Sequence, residues 1–497
     1  MTVSLLSMLS LEACSGSKGM EAVQNKSNED KKLNEPVKIT VMAPFISAEP
    51  IKKENPGLKK LEELTNSNLE INWVPISAYN DKVNVTIASN NLPNALVIYD
   101  NKAPSIINSA RSGMFWEIGP YLKDYKNLSK INSVALNNIS VDGKIYSLPR
   151  ERPLARNGII FRKDWLDQLG LSEPKNVDDI YEILKAFTNQ DPDKNGKNDT
   201  YGLTESKDFR AFDVMLAYLG GSNGWEAKDS RLTPSFMTKE YLDTMKFFKR
   251  LYDEKLMNQD FLIANAQIKT DNINNGKAGV YMDYAASSLN HKFDALYKAN
   301  PKADLDVVTR INGTKGVRIL STSGYLGTIA FPKTSVKTEG ELKQILSFFD
   351  NLYEDNIQEL VLYGIKGTHY TDENGKKAIS PQQQQLYSKE ISDIAQMFPM
   401  VSDQPKDGVL PVMVKAINME HDNLSIIINN PTEPLISNTY TEKGTELDKI
   451  ILDARAKFIM GKIDEAKWNS EIEQWKNSGG NKIIEEYSTE YNKMLSK

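Results

Sequence analysis

The sharpest chemical pattern in the chain is Asp191-Pro-Asp-Lys-Asn-Gly-Lys-Asn-Asp199. Oxygen-bearing side chains stand at loop positions one, three, five and nine (Asp191, Asp193, Asn195 and Asp199), and Gly196 at position six permits the tight turn that lets them converge. With the backbone carbonyl of Lys197 at position seven, the loop offers the oxygen ligands a hard divalent cation takes. The spacing points to calcium. Position twelve, where calcium-sensing loops place a bidentate Glu, holds Gly202, which leaves Thr200 or water to complete the shell. Without that Glu the loop lacks the lever that moves a following helix, so the ion expected here is structural. The plainer reading is a surface turn rich in Asp, Asn and Gly.

Other chemistry has little to work with. His291, His369 and His421 are the only histidines and are widely separated, with no HExxH pair. Neither a GxSxG elbow nor a GxxxxGK[ST] phosphate loop occurs. Adjacent carboxylates such as Asp178-Asp179 and Glu485-Glu486 cannot face each other across a substrate from one helix. With 66 acidic residues, a distant acid and base pair stays open, so a secreted glycosidase or polysaccharide lyase is the alternative to a binding protein.

The single cysteine, Cys14, excludes an internal disulfide and a Cys-based zinc site. It follows a short apolar run (Leu5, Leu6, Met8, Leu9, Leu11) and reads as a lipid-attachment cysteine ending a signal segment. Glu12 and the missing basic start depart from that pattern, and a start codon placed upstream would account for them. Residues 15–36, rich in Ser, Asn, Lys and Glu, read as a flexible tether holding the folded body off a membrane. No later apolar run reaches the ~20 residues that span a bilayer. Net charge is −5 and the 61 basic residues are scattered, so no nucleic-acid footprint appears.

The elements that must position these groups follow from length and periodicity. A chain of 497 residues exceeds the usual reach of one hydrophobic core, and two lobes are expected. Short β-rich runs at Val37–Met42, Leu69–Val74 and Ala95–Tyr99 alternate with helical stripes at Pro56–Leu64 and Asp81–Ala88, which predicts an α/β lobe. Further strand character lies at Gly158–Phe161, Gly276–Met282 and Gly324–Phe331, with helices at Val177–Thr188, at Lys239–Leu256 and beyond Lys337. This pattern predicts residues 37–150 and 277–332 in an N-terminal lobe, and 151–276 and 333–497 in a helix-rich C-terminal lobe, with a hinge where the chain crosses.

The stretch Arg156-Asn-Gly-Ile-Ile-Phe-Arg-Lys-Asp-Trp-Leu-Asp-Gln-Leu-Gly-Leu171, Val177-Asp-Asp-Ile-Tyr-Glu-Ile-Leu-Lys-Ala-Phe187 and the calcium-like loop resemble family 1 extracellular solute-binding lipoproteins of bacterial ABC importers. The resemblance is to the Gram-positive subgroup that includes alginate-oligosaccharide binding proteins. Ala88-Ser-Asn-Asn-Leu-Pro93, Asp142-Gly-Lys-Ile-Tyr146, Gly276-Lys-Ala-Gly279 and Gly364-Ile-Lys-Gly-Thr-His-Tyr370 extend it over most of the chain. The family pattern departs at Ser89-Asn90-Asn91 and at Asn94, which replaces the usual Asp. The resemblance implies a periplasmic-binding-protein-like fold, a ligand cleft between lobes, oligosaccharide delivery to the transmembrane subunits of an importer, and calcium at Asp191, Asp193, Asn195, Lys197 and Asp199. The protein is expected to be a monomer anchored on the outer face of the cell membrane.

Sugars offer apolar C–H faces and a rim of hydroxyls, so their sites combine aromatic platforms with planar polar groups. Expected ligand contacts are Tyr79, Asp100, Arg150, Arg152, Trp225, Asp283, Tyr284 and Tyr370, all placed at predicted loops or strand ends. Trp73, Trp116, Trp165, Trp468 and Trp475 are assigned to packing. The Arg150, Arg152 and Arg156 cluster favours an acidic sugar, because guanidinium binds carboxylate through two parallel hydrogen bonds.

Overall fold

A computed structural model describes residues 35–289, 292–400 and 409–496. Cys14 and all but the last two tether residues lie outside the described residues, as does His291. Among the described residues no helix is long and apolar enough to cross a membrane.

Nine strands form two mixed sheets: β1 (Val37–Phe45), β2 (Ser67–Pro75), β3 (Ala95–Ile98), β4 (Ser147–Glu151), β5 (Asn157–Arg162), β6 (Tyr201–Thr204), β7 (Ala278–Tyr284), β8 (Leu305–Val308) and β9 (Tyr325–Ala330). The first sheet runs β2-β1-β3-β9-β4 and the second β8-β5-β7-β6. The opening is the expected β-α-β unit. Helix Pro56–Thr65 starts where the Asn55 side chain accepts from the Leu58 amide at 3.0 Å with Pro56 in the first turn, and it stops at Asn66, which adopts a left-handed φ of 47°. The chain then returns parallel, pairing Val37 with Ser67 through to Phe45 with Pro75. All four residues of β3 are buried, which is why this run carries no polar alternation.

In the second sheet β5 pairs antiparallel with β7 and β8, and β6 pairs parallel with β7. Helix Val177–Asn189, closed by a reciprocal Asn176–Asp179 capping box, lies against β7. A Cβ at Gly279 would stand 2.1 Å from the Phe187 ring and 2.8 Å from Trp165, so the missing side chain lets helix and strand approach.

The strand pairings correct the expected lobe boundaries. β7 and β8 stay in the second sheet, and of residues 277–332 only β9 returns to the first, antiparallel to β3 and β4. The helices that follow remain there: Leu342, Phe349, Leu360 and Ile394 pack in the same core as β1 and β3. From Pro411 the chain is back with the second body, where Ala416 and Ile417 pack against Ile160 and Tyr281, and Ile451, Trp468 and Trp475 join Phe212 and Phe248. The chain therefore passes between bodies three times: between β4 and β5, between Leu320 and β9, and between Phe398 and Pro411. A glycine-bearing strand is recognisable locally, whereas its partner is a tertiary choice that periodicity does not encode.

Trp165, Trp468 and Trp475 are buried, and Trp73 and Trp116 pack half-buried against the first core, in line with their assignment to packing.

Candidate functional site: a cleft between the two bodies

The carboxyl end of β3 delivers Asp100 and Lys102 to a cavity of about 660 Å³ whose other walls belong to the second body. Helix Pro104–Arg111 continues the first wall with Pro104 and Ile107. Opposite stand Asn157 at the start of β5, Arg210, Trp225, Tyr284 at the end of β7, and the polar turn that contains Asn430 and Glu433. The volume lies in the ~300–1,000 Å³ range of small-molecule sites.

One wall is aromatic and held rigidly. Ser437 caps helix Asn438–Ile459 by accepting from the Tyr440 amide at 3.0 Å. Glu486, on helix Asn481–Leu495, accepts from the Ser437 hydroxyl at 2.6 Å and from the Thr439 amide and hydroxyl at 3.0 and 2.8 Å, which ties the two helices together. Tyr440 donates to Asp448 at 2.7 Å. Trp225 meets Tyr487 edge-on with centroids 5.2 Å apart, and Tyr440 follows at 6.0 Å from Tyr487. These rings share an apolar surface with hydrogen-bonding edges, suited to a sugar face and its hydroxyls.

A second wall carries Arg210, and Arg156 packs behind it on the same Tyr284 ring. The Arg156 guanidinium lies 3.6 Å from the Tyr284 ring centroid and that of Arg210 4.3 Å from it. Burial pulls Arg156 below the ordinary arginine range, and its Nε is buried without a hydrogen-bond partner among the described residues. Across the cleft, burial brings Lys102 down to about 8, with the Glu433 carboxylate opposing that fall. Burial also raises Asp213, Glu433 and Asp448, so desolvation weakens negative charge around the cavity.

Of the eight expected contacts, Asp100, Trp225 and Tyr284 line this cavity. Tyr79 does not. Only 1% exposed, it opens helix Tyr79–Ser89 and turns into the first core, where its hydroxyl lies 2.8 Å from the Met42 carbonyl and 2.9 Å from that of Val97. Arg150, 2% exposed, is a brace: Nη1 donates to the Leu326 carbonyl at 3.1 Å and Nη2 to Gln396 at 3.0 Å. Tyr370 is 3% exposed and donates to Glu359 beside Tyr363. Asp283 turns to the buried Lys269, 3.5 Å away, which also pairs with Glu205 at 3.4 Å. Arg152 lines a separate cavity of about 170 Å³ at the crossing, with Glu151 and Glu420.

Lys102, Arg210, Glu433, Tyr440 and Tyr487 line the cleft without having been expected there. The polar turn Asn429-Asn-Pro-Thr-Glu433, between helical stretches, was the one sequence signal that could have drawn attention to its segment.

In the Asp191–Asp199 loop, the Asn195 and Gly196 amides donate to Asp191 at 3.1 and 3.0 Å, and the Asn195 side-chain amide reaches Asp193 at 2.9 Å and Asp199 at 3.1 Å. Gly196 adopts φ +77°, the left-handed geometry the tight turn requires. Burial raises Asp193, and contact with Asp191 and the charge of Asp199 add to it. The loop's own amides thus occupy its carboxylates, and among the described residues no three Asp, Glu, His or Cys side chains form a group that could hold a metal ion. Thr200 is not the missing ligand, because its hydroxyl is buried and donates to the Phe187 carbonyl at 2.8 Å.

Residues 48–359 match the family model of the bacterial extracellular solute-binding proteins. The chain belongs to that family. It is 40% identical to the polygalacturonan/rhamnogalacturonan-binding protein YtcQ of Bacillus subtilis over 482 residues, 96% of this chain and 95% of that protein. It is also 40% identical to lipoprotein LipO of the same organism over 464 residues, 91% of this chain and 92% of that one. The fold matches the crystal structure of alginate-binding protein AlgQ2 without calcium ion, with a TM-score of 0.66 at 18% identity, covering 92% of this chain and 98% of that one. As a solute-binding protein it captures its ligand without converting it, and the glycosidase or lyase alternative falls.

Proposed function

We propose that this solute-binding protein captures an acidic oligosaccharide of plant cell-wall polygalacturonan or rhamnogalacturonan type and presents it to the transmembrane subunits of an ABC importer. The observation that carries the reading is the Arg210 guanidinium, which lines the cleft 4.3 Å from the centroid of the Tyr284 ring. Arg210 is not ion-paired with a carboxylate among the described residues, so it is available to grip a uronate carboxylate bidentately while Trp225, Tyr440 and Tyr487 receive sugar faces. The binding named for YtcQ supports the same substrate class. Ligand bridging both bodies favours the closed form through contacts the open form lacks.

The same proposal places a lipid on Cys14 as the membrane anchor, which the name of LipO supports, and a structural calcium ion at Asp191, Asp193, Asn195, Asp199 and the Lys197 carbonyl. The test is calorimetric titration of the full chain with oligogalacturonates, rhamnogalacturonan fragments and neutral gluco-oligosaccharides. Heat from the acidic ligands alone supports the reading; binding confined to the neutral series overturns it.

A further inference from the structure

We infer that the ligand cleft continues into a second chamber, which receives uncharged sugar units at one end of the acidic chain; this rests on the function proposed above. A cavity of about 750 Å³ shares Leu435 and Ile436 with the first one as a common wall. The same two helices line both. Ile107 borders the first chamber and Arg111, one turn on along the same face, the second; Tyr487 borders the first, while Glu490 and Met494 continue its face into the second. Lys102 of the first chamber donates at 3.0 Å to the carbonyl of Ser140, a residue of the second, so the two are adjacent on the first body's side as well.

Each chamber is lined by three cations and four carboxylates, and the two differ in pairing: Lys102, Arg210 and Arg455 of the first form no ion pair among the described residues. In the second, every cation already holds a carboxylate of the same chamber: Arg111 grips Asp142 through Nε and Nη2, both at 2.9 Å, Lys493 meets Glu490 at 2.8 Å, and Lys482 stands 3.8 Å from Glu486. Glu485 is left in excess. A uronate entering here would have to displace one of these partners, whereas Arg210 in the first chamber has none to give up. A neutral sugar meets the amides of Asn137 and Asn438 and the Thr489 hydroxyl, with apolar surface from Met494 for a C–H face or a deoxy-sugar methyl. Each chamber alone matches the volume of one small ligand, so the pair in series suits a chain about twice as long as the first would hold.

The test is calorimetry on the full chain with a galacturonate trimer, a galacturonate hexamer and a block hexamer of three uronates ending in three neutral sugars, in the unmodified protein and in Asn137→Trp and Thr489→Trp. Both positions are exposed, on opposite walls of the second chamber and outside the first. The block hexamer is expected to bind more tightly than the trimer, and more tightly than the pure galacturonate hexamer. Either tryptophan should weaken the block hexamer by about tenfold and leave the trimer unchanged. Equal affinity of trimer and both hexamers, a larger gain for the pure uronate, or indifference to both tryptophans would overturn the second chamber while leaving the proposed function standing. No binding of the trimer by the unmodified protein would overturn both.

Discussion

Arg156 lies over Tyr284 with its guanidinium carbon 3.6 Å from the ring centroid, although the two residues are far apart in the sequence. The register of β5 and β7 brings them together: Asn157 pairs with Tyr284, and the Ala285 amide donates to the Arg156 carbonyl at 2.8 Å. Arg210 reaches the same ring from the start of helix Arg210–Tyr218. The sheet register therefore sets Arg156 on the Tyr284 ring, and the helix start brings Arg210 to it, before any ligand arrives.

Removing one of those charges should separate acidic from neutral ligands. Arg210→Gln is expected to weaken oligogalacturonate binding by about ten- to hundredfold, since a charge-assisted bidentate contact is lost. Thermal stability should change little, because Arg210 makes no ion pair among the described residues. An unchanged dissociation constant in calorimetry would remove Arg210 from the site.

Lys102 makes the same cleft sensitive to alkaline pH. Burial holds its ammonium down at about 8, so it is charged below that pH and neutral above it. A ligand carboxylate favours the charged form, and affinity for acidic oligosaccharides should be level at neutral pH and fall as pH rises through about 8. Above that point binding should take up a proton, visible as a dependence of the calorimetric heat on buffer ionisation. Lys102→Met should abolish both effects; if the slope persists in that variant, another group is responsible.

How far the sequence reached differs between fold and site. The β-α-β opening, the buried β3 and the helix at 177–189 were legible because each carries a local signal: β-rich runs flanking a helical stripe, an uninterrupted apolar run, and apolar residues at helical spacing. Asp100 and Trp225 were legible as cleft residues because they end a strand and open a hairpin beside glycine-rich turns. Tyr79 and Tyr370 misled for one reason: a tyrosine at a strand end looks available in sequence, yet its ring direction depends on the next element's packing. Tyr440 and Tyr487 lie on helices, where an aromatic residue reads as core, and only the Glu486 tie between those helices turns them to the cleft.

Tyr79 gives a stability prediction. Its hydroxyl sits between the carbonyls of Met42 and Val97, on the adjacent strands β1 and β3, inside the first core. Tyr79→Phe leaves buried carbonyls short of a donor and should cost about 1–3 kcal/mol in urea unfolding. Ligand affinity should be unchanged, because the residue is buried away from the cleft. A loss of affinity without loss of stability would return Tyr79 to the binding site.

The loop Asp191–Asp199 joins helix Val177–Asn189 to β6, so an ion there ties two elements of the second body together. With no ion, crowding shows in Asp193, whose carboxyl is raised by burial and by its contacts with Asp191 and Asp199. A divalent cation relieves that crowding and binds the folded state only, which at a concentration hundredfold above its dissociation constant stabilises by about 2.7 kcal/mol. Chelation should therefore lower the melting temperature, and restoring calcium should recover it. Because a raised carboxyl holds its proton more tightly, calcium must compete with that proton, and the calcium-dependent shift should shrink as pH falls. Asp191→Asn together with Asp199→Asn should abolish the shift, leaving the melt close to that of the chelated protein. An identical melt with calcium and with chelator in the unmodified chain would reduce the loop to a turn held by its own amides.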